Sequence, residues 1–411
     1  MALFKEVKKP VIKAAAAGAE VSPLRPRYVE KTAPCAAHCP NHSQVREWLM
    51  LVAQHEAYQR TREQAFELAW RQVTEVNPFP ASEARVCQHA CEQSCNRKEK
   101  DGSVAIHVVE RFLGDYALAH GFKLPIPERA TTARSGAPAK TNGSALKPVA
   151  VAGAGPAGLS CAYQLARRGY AVTVFDAAPK PGGIMRYGVP RGMIPSAVLD
   201  AEIANVLALG IQLRCDCAVG REITLAELRR DYAAVFLANG LQKPSRLALT
   251  RDGDGAFVAG ELPPEPPAGP FTEPEQFDPR AGNAVCPAVA QGRQMAESID
   301  ALLRGRSPQT IAAPPLIKAE QMKLDWYPAA PPHAEVSPAL VPGISEEEVI
   351  AEAKRCMSCG MCFDCETCWM YCSNNCFIKL PKGEHYKIKL ELCDGCKKCA
   401  EACPCGYIEL N

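Results

Sequence analysis

The chain has 411 residues, a formal net charge of +2 and a pI near 7.8. That is room for about two to four domains, with no field that would draw nucleic acid or an anionic membrane surface. Its 21 Cys and 35 Pro are the unusual counts, and cysteine at this density means disulfides or metal.

The first twenty residues, MALFKEVKKPVIKAAAAGAE, hold no uninterrupted apolar core ending in a cleavage site. A cytoplasmic protein is therefore expected, and metal-bound thiolates rather than disulfides. Residues 1–34 read as an extended arm, and residues 35–124 as a helical, cysteine-punctuated domain. SQVREWLMLV sets Val45, Trp48, Leu49 and Val52 on one helix face. TREQAFELAWRQV opens with Thr61 and Gln64 in capping-box positions and stops at Asn77-Pro78. Residues 125–146 are polar and Pro/Gly-containing, as a linker would be.

Residues 147–305 form an α/β segment. Residues 148–166 are uncharged, but their Gly-Ala-Gly-Pro-Ala-Gly centre breaks any membrane helix. An apolar strand, Val149 to Ala152, runs into Gly153-Ala-Gly155-Pro156-Ala157-Gly158 and then a helix, and a second strand ends in Asp176. Gly153 permits the tight turn, Gly155 lets a pyrophosphate approach the backbone, and Gly158 lets helix and strand pack closely. The helix N-terminus faces the phosphates, and Asp176 is placed to accept ribose hydroxyls. This is a dinucleotide site of either the FAD or the NAD kind.

Residues 306–344 are a Pro-rich tether, and residues 345–411 a small cysteine module. Within it lie two Cys-x2-Cys-x2-Cys-x3-Cys runs: Cys362, Cys365, Cys368 and Cys372, then Cys393, Cys396, Cys399 and Cys403. This is the spacing of a two-cluster bacterial ferredoxin, in which each run gives its fourth cysteine to the other cluster. The expected sets are Cys362, Cys365, Cys368 and Cys403, and Cys393, Cys396, Cys399 and Cys372. Ser373 stands where proline usually follows. Cys356, Cys359, Cys376 and Cys405 are left over; four spare thiols could hold another metal, but buried packing thiols are the expectation. The eight histidines form no zinc or nucleophile constellation, and no Ser-His-Asp set is apparent.

KPGGIMRYGVP (180–190), YAAVFLANG (232–240), GAFVAGE (255–261) and AVAQGRQMAESIDALLRG (288–305) resemble, in that order, the FAD domain of the glutamate synthase small-subunit family, whose N-terminal half dihydropyrimidine dehydrogenase shares. The resemblance makes the dinucleotide FAD. It implies cofactor contacts at Gly182, Gly183, Arg186, Ala238, Gly260, Glu261 and Gln291, with a helix starting near Ala290-Gln291 aimed at the flavin ring. Glu261 replaces the family's usual Asp. In the family an NAD(P)H domain is inserted between the ANG and VAGE motifs. Here 19 residues, 241–259, separate Gly240 from Gly260, too few for a βαβ unit of roughly 30. NAD(H) then either stacks on the flavin in a site shared with a partner or is no longer used.

PCAAHCP (Cys35, Cys39) and RVCQHACEQSC (Cys87, Cys91, Cys95) resemble the family's N-terminal iron–sulfur domain, without the earlier Cys-x2-Cys that a second cluster there needs. One [4Fe–4S] cluster is expected, on Cys39, Cys87, Cys91 and Cys95, with Cys35 the alternative fourth ligand.

The expected architecture is multidomain: an α-helical iron–sulfur domain, an α/β Rossmann-like FAD domain and a C-terminal bacterial-type ferredoxin module of α+β class, with FAD, three [4Fe–4S] clusters and NAD as co-substrate. The layout is similar to electron-transfer subunits of anaerobic 2-oxoacid oxidoreductase complexes. This implies partner subunits that handle the organic substrate, and electrons passing from clusters to FAD to NAD+. The alternatives are an NAD(P)H:ferredoxin-type reductase or glutamate-synthase-like partner running the other way, and a wiring subunit without nicotinamide turnover.

Overall fold

The computed structural model describes residues 22–125, 140–141, 144–145, 148–190, 192–238, 240, 250–251, 257–259, 279–306, 313–333, 343–381 and 383–411. A short strand β1 (Pro26–Tyr28) leads into six helices: α1 (Pro34–His38), α2 (Val45–Ala53), α3 (Arg62–Thr74), α4 (Pro80–Ala84), α5 (Ala90–Gln93) and α6 (Ile106–Ala119). The expected face of α2 is the buried one, with Val45, Trp48, Leu49 and Val52 each at most 2 % exposed. The Thr61–Gln64 capping box forms and starts α3.

A short hairpin of β2 (Lys140–Thr141) and β3 (Ser144–Ala145) precedes the central sheet. That sheet contains β4 (Val149–Ala152), β5 (Val172–Phe175), β6 (Gln212–Arg214), β7 (Ala234–Leu237), β8 (Thr250–Arg251) and β9 (Phe257–Ala259), in the order β6-β5-β4-β7-β9-β8. Every pairing is parallel except β8 with β9. β4, β5 and β7 are buried at every residue, which explains their unbroken apolar runs. Their helices are α7 (Pro156–Arg167), α8 (Ile184–Tyr187), α9 (Ser196–Leu207) and α10 (Leu225–Asp231). The strand order changes direction beside β4, so the crevice above β4 and β7 is the expected place for a ligand.

A long helix, α11 (Pro279–Leu303), lies across α7. A Cβ on Gly292 would sit 2.0 Å from the Ala157 carbonyl oxygen, so only glycine permits this approach. Here the structure departs from expectation: α11 does not begin near Ala290-Gln291 but runs continuously from residue 279 with Pro287 inside it. Proline forfeits one ladder hydrogen bond but need not end a helix that tertiary packing holds in place.

The C-terminal unit comprises α12 (Glu346–Ala353), α13 (Thr367–Tyr371), the hairpin β10 (Phe377–Lys379) and β11 (Tyr386–Ile388), α14 (Lys398–Ala402) and β12 (Ile408–Leu410). β12 pairs antiparallel with β1, so the arm near the start of the chain supplies a strand to the unit at its end. The described part of the expected tether is also packed rather than loose: Ile317, Met322 and Tyr327 are buried, and Ile317 N–H donates to Thr32 O. Arg46 donates to the Cys359 carbonyl at 2.7 Å, Gln54 to that of Phe363 at 2.7 Å, and Arg97 to that of Arg355 at 2.6 Å. The cysteine unit is thus seated on the N-terminal helices. Residues 126–139, 307–312 and 334–342 of the linker and tether lie outside the described residues. Among the described residues, no helix is long and apolar enough to cross a membrane.

The α/β segment is fastened to the helical domain by buried Glu202 of α9. Its two oxygens accept from Ala81 N–H at 2.7 Å and Ser82 N–H at 3.0 Å in the first turn of α4. Replacing Glu202 with alanine orphans both donors, at about 1–3 kcal/mol for each group left buried without a partner. Glu202→Ala is therefore expected to lower the thermal unfolding midpoint followed by far-UV circular dichroism. An unchanged midpoint would mean the two units are held by other contacts.

Candidate functional site: a glycine turn and four sets of thiols

The turn after β4 is shaped by close approaches. Gly153 has φ 113°, and a Cβ there would lie 2.3 Å from Ala238 O. Ala238 is itself held by its N–H donating to Ala152 O at 2.7 Å. A Cβ on Gly158 would fall 1.8 Å from Gly153 O. Gly155 differs: its Cβ would meet only Gly183 Cα, at 3.7 Å. The hollow it faces suits a pyrophosphate. Gly155 also caps α7 with no side-chain acceptor, and Pro156 occupies the first turn, leaving the N-terminal dipole for an anion.

Gly182 and Gly183 both have positive φ, and Gly183 backs onto Gly155. Arg186 is buried; it donates from Nε to Pro181 O at 2.7 Å and pairs with Asp200, so its guanidinium fixes the 181–183 segment. The Asp176 carboxylate accepts from Ala154 N–H and, at 2.7 Å, from Ala178 N–H, bracing the turn from the β5 side. Burial pushes this carboxyl up while the two N–H donors pull it down. Gln291 lies within α11 beside the crossing with Ala157. Gly260 and Glu261 lie outside the described residues.

The cysteines fall into groups. Cys362, Cys365, Cys368 and Cys403 line one cavity, of about 330 Å³ of empty space. Cys372, Cys393, Cys396 and Cys399 line another, of about 350 Å³. These are the quartets the spacing pairs, with the fourth thiols exchanged between runs. Cys376 and Cys405 stand beside them: Cys376 N–H donates to Cys372 Sγ at 3.2 Å, and the Cys405 thiol lies 3.8 Å from Cys403 Sγ. The Cys405 hydrogen bond pulls Cys403 down to about 6.

In the N-terminal domain the grouping differs from expectation. Cys39 and Cys87 both share hydrogen bonds with Cys286 of α11, and Cys91 feels the charge of Cys39 and Cys87. Buried Glu83 and Glu110 face the same thiols. Cys95 instead lines a separate cavity with Cys35, Cys356 and Cys359. Cys35 opens the short helix α1 and Cys39 caps its end; Cys91 lies in α5 and Cys95 just beyond it. Because α1 and α5 pack together, the thiols near their two ends meet different partners. Cys286 went unrecognised because it is a lone cysteine with no spacing pattern around it.

Burial raises Cys365 to about 11 and Cys399 to about 12, so thiolates there need a compensating cation. In the Cys362-x2-Cys365 and Cys393-x2-Cys396 loops the residue two after the first cysteine is left-handed and its N–H turns to that sulfur: Asp364 (φ 58°) to Cys362 and Gly395 (φ 75°) to Cys393 at 3.4 Å; in the Cys87-x3-Cys91 loop His89 (φ 56°) does the same to Cys87 at 3.4 Å. A single tetrahedral zinc at about 2.3 Å per sulfur would hold its ligands near 3.8 Å apart. Among the described residues, the groups of three ligands converging within 4.8 Å are His89, Glu92 and His107, and Cys362, Asp364 and His385. None of the four-thiol sets is among them.

Residues 4–122 match the model of the family described as dihydropyrimidine dehydrogenase domain II, 4Fe-4S cluster, and residues 151–209 that of the NAD(P)-binding Rossmann-like domain. The chain is similar to the NADP(+)-dependent formate dehydrogenase subunit beta of Moorella thermoacetica, 34 % identical over 56 % of this chain and 32 % of that protein. It is also similar to subunit PreT of the NAD-dependent dihydropyrimidine dehydrogenase of Salmonella typhimurium, 33 % identical over 55 % of this chain and 50 % of that one. The glutamate synthase [NADPH] small chain of Escherichia coli is 32 % identical over 55 % of this chain and 44 % of its own. The chain thus spans between a third and a half of the length of these relatives. It carries a 4Fe–4S domain and a dinucleotide-binding Rossmann-like domain, as FAD-dependent iron–sulfur oxidoreductases of the glutamate synthase small-subunit and PreT kind do.

Two glycine variants separate binding from folding. Gly155→Val fills the hollow, so bound dinucleotide in the purified protein is expected to fall at least about tenfold, some 1.4 kcal/mol, with little change in melting. Gly158→Val drives into Gly153 O and is expected to lower the melting temperature itself. Full dinucleotide occupancy in Gly155→Val would remove the turn as the binding site.

Proposed function

We propose that the chain is the flavin- and cluster-bearing electron-transfer subunit of a multi-subunit oxidoreductase, most specifically of a NADH-dependent 2-oxoacid dehydrogenase such as phenylglyoxylate dehydrogenase. FAD would be held by the 153–158 turn, Asp176 and the 182–183 segment. Three [4Fe–4S] clusters would be held by Cys362, Cys365, Cys368 and Cys403, by Cys372, Cys393, Cys396 and Cys399, and by Cys39, Cys87, Cys91 and Cys286. When bound, a flavin exchanges electrons in pairs or singly and each cluster singly, which supplies conversion between hydride and one-electron chemistry.

One observation carries the reading: helix α11 touches the dinucleotide turn at Gly292 and the N-terminal thiols at Cys286. Six residues along one rigid helix join the two cofactor regions. The outer cysteine set supports exchange with a partner. Cys396 is exposed, and Leu390 and Leu392, each 45 % exposed, lie on the approach to Cys393. Apolar exposure beside an accessible cluster ligand is what a docking subunit covers.

A relative named for NADPH, the glutamate synthase small chain, supports a second reading, in which electrons enter from nicotinamide and leave through the cysteine unit. The 241–259 segment is too short for a βαβ unit of roughly 30 residues, which supports a nicotinamide stacked against the flavin face rather than held in a domain inserted there. Stopped-flow mixing of the anaerobically reduced, flavin-loaded protein and its partner subunits with NAD+, NADP+ or an acceptor dye tests this. Flavin reoxidation by NAD+ is expected. Flavin reduction when the oxidised protein is mixed with NADPH, without reoxidation of the reduced protein by NAD+, would favour the second reading, and reoxidation by dye alone with no reduction by NADPH would remove nicotinamide from the function.

A further inference from the structure

We propose that Cys35, Cys95, Cys356 and Cys359 hold a further [4Fe–4S] cluster, assembled from both ends of the chain. The four line one cavity of about 370 Å³ of empty space, matching the 330 and 350 Å³ at the two C-terminal quartets. Cys356-x2-Cys359 has the loop geometry of Cys362-x2-Cys365 and Cys393-x2-Cys396: Ser358 is left-handed (φ 48°) and its N–H turns to Cys356 Sγ. Backbone N–H groups of Ala36, Arg97 and Val104 and the side chain of Asn96 are directed at the remaining three sulfurs. Such donors stabilise thiolate and sulfide charge.

The walls also supply positive charge. Arg46 lines the cavity, is 4 % exposed, and leaves its buried Nε without a hydrogen-bond partner. Arg97 lines it too, and Arg355 lies within electrostatic reach of Cys95; they are 1 % and 3 % exposed. Packing thiols need none of this. Buried guanidinium groups are costly unless anions compensate them; Asp101 and Glu352 pair with Arg97 and Arg355, and exposed Glu30 pairs with Arg46 at 3.0 Å, but Arg46 Nε is still left without a partner. As in the neighbouring quartets, no three of these sulfurs form a group within 4.8 Å among the described residues, so the cavity is too open for one zinc ion.

Position gives the site its role. Cys35 lies one turn from Cys39, Cys95 one turn from Cys91, and Cys359 three residues before Cys362. Buried Tyr327 lies within electrostatic reach of Cys359 of this set and of Cys405, Cys365 and Cys403 of the C-terminal unit. The cavity therefore sits between the N-terminal thiols next to the flavin domain and the C-terminal unit. The Cys-x2-Cys missing upstream is supplied from more than 250 residues downstream.

This deepens the electron-transfer reading, and the two fail separately. Full-length, anaerobically purified and reconstituted protein is expected to carry about 16 Fe and 16 sulfide per chain, against about 12 if this site is empty, at four irons per cubane. Cys356→Ser/Cys359→Ser should lose about a quarter of the iron, and the same fraction of the Mössbauer area, while keeping its flavin. Because a buried pair can be needed for folding, the single variants Cys95→Ser and Cys91→Ser provide a second test. Cys95→Ser combined with Cys356→Ser should lose no more iron than either alone, whereas Cys95→Ser with Cys91→Ser should lose about twice as much. Wild-type protein with flavin and about 12 Fe, bound zinc in place of the missing iron, or a double variant with undiminished iron would overturn this site and leave the electron-transfer reading standing. Protein with neither flavin nor iron would overturn both.

Discussion

Buried thiolates cannot stand alone, and most of this molecule's architecture follows from that. Burial raises the sulfur pKa of Cys356, Cys359, Cys362 and Cys399, and a buried set of thiolates is stable only around a cation that neutralises it. The elements that carry these cysteines are short: α1, α5, α13 and α14 have four or five residues each. Helices of that length have no independent stability. They are held where left-handed turns and N–H···S bonds put them, and the thiol sets do for the two end domains what a larger apolar core does elsewhere. β1 and β12 fit the same account, because a three-residue pair is marginal by itself and lasts here by closing the C-terminal unit around its quartets.

Local pattern was legible where a single peptide segment contains the whole instruction. The α2 face, the Thr61–Gln64 box, the glycine turn of 153–158 and the two interlocked C-terminal runs each lie within a few dozen residues, and the structure brings together the residues those spacings pair. What the sequence hid was the meeting of distant segments. No periodicity joins Cys35 and Cys95 to Cys356 and Cys359, or Cys286 to Cys39 and Cys87. Pro287 disguised the length of α11 for a physical reason as well: a proline signal is local, whereas the packing of Gly292 on Ala157 that keeps the helix continuous is tertiary.

The domain arrangement also bears on the direction of wiring. The N-terminal thiols reach the α/β segment through Cys286, and the C-terminal unit reaches the N-terminal helices through Arg46, Gln54 and Arg97. The glycine turn and exposed Cys396 are therefore the two ends of a series, with the other thiol sets between them. On the proposed electron-transfer reading, an ordered line with one buried end and one accessible end suits passage of electrons rather than their storage. The tether between residues 313 and 333 packs across this line instead of swinging free, with the Tyr327 hydroxyl donating to Met357 O at 2.8 Å. The C-terminal unit is thus held against the N-terminal helices. Truncating the chain before residue 345 would then do more than remove a terminal module. It would also open the seam where Arg46, Arg97 and Arg355 gather around thiols from both ends, so the N-terminal domain and the C-terminal unit are interdependent parts of one conductor rather than separable beads.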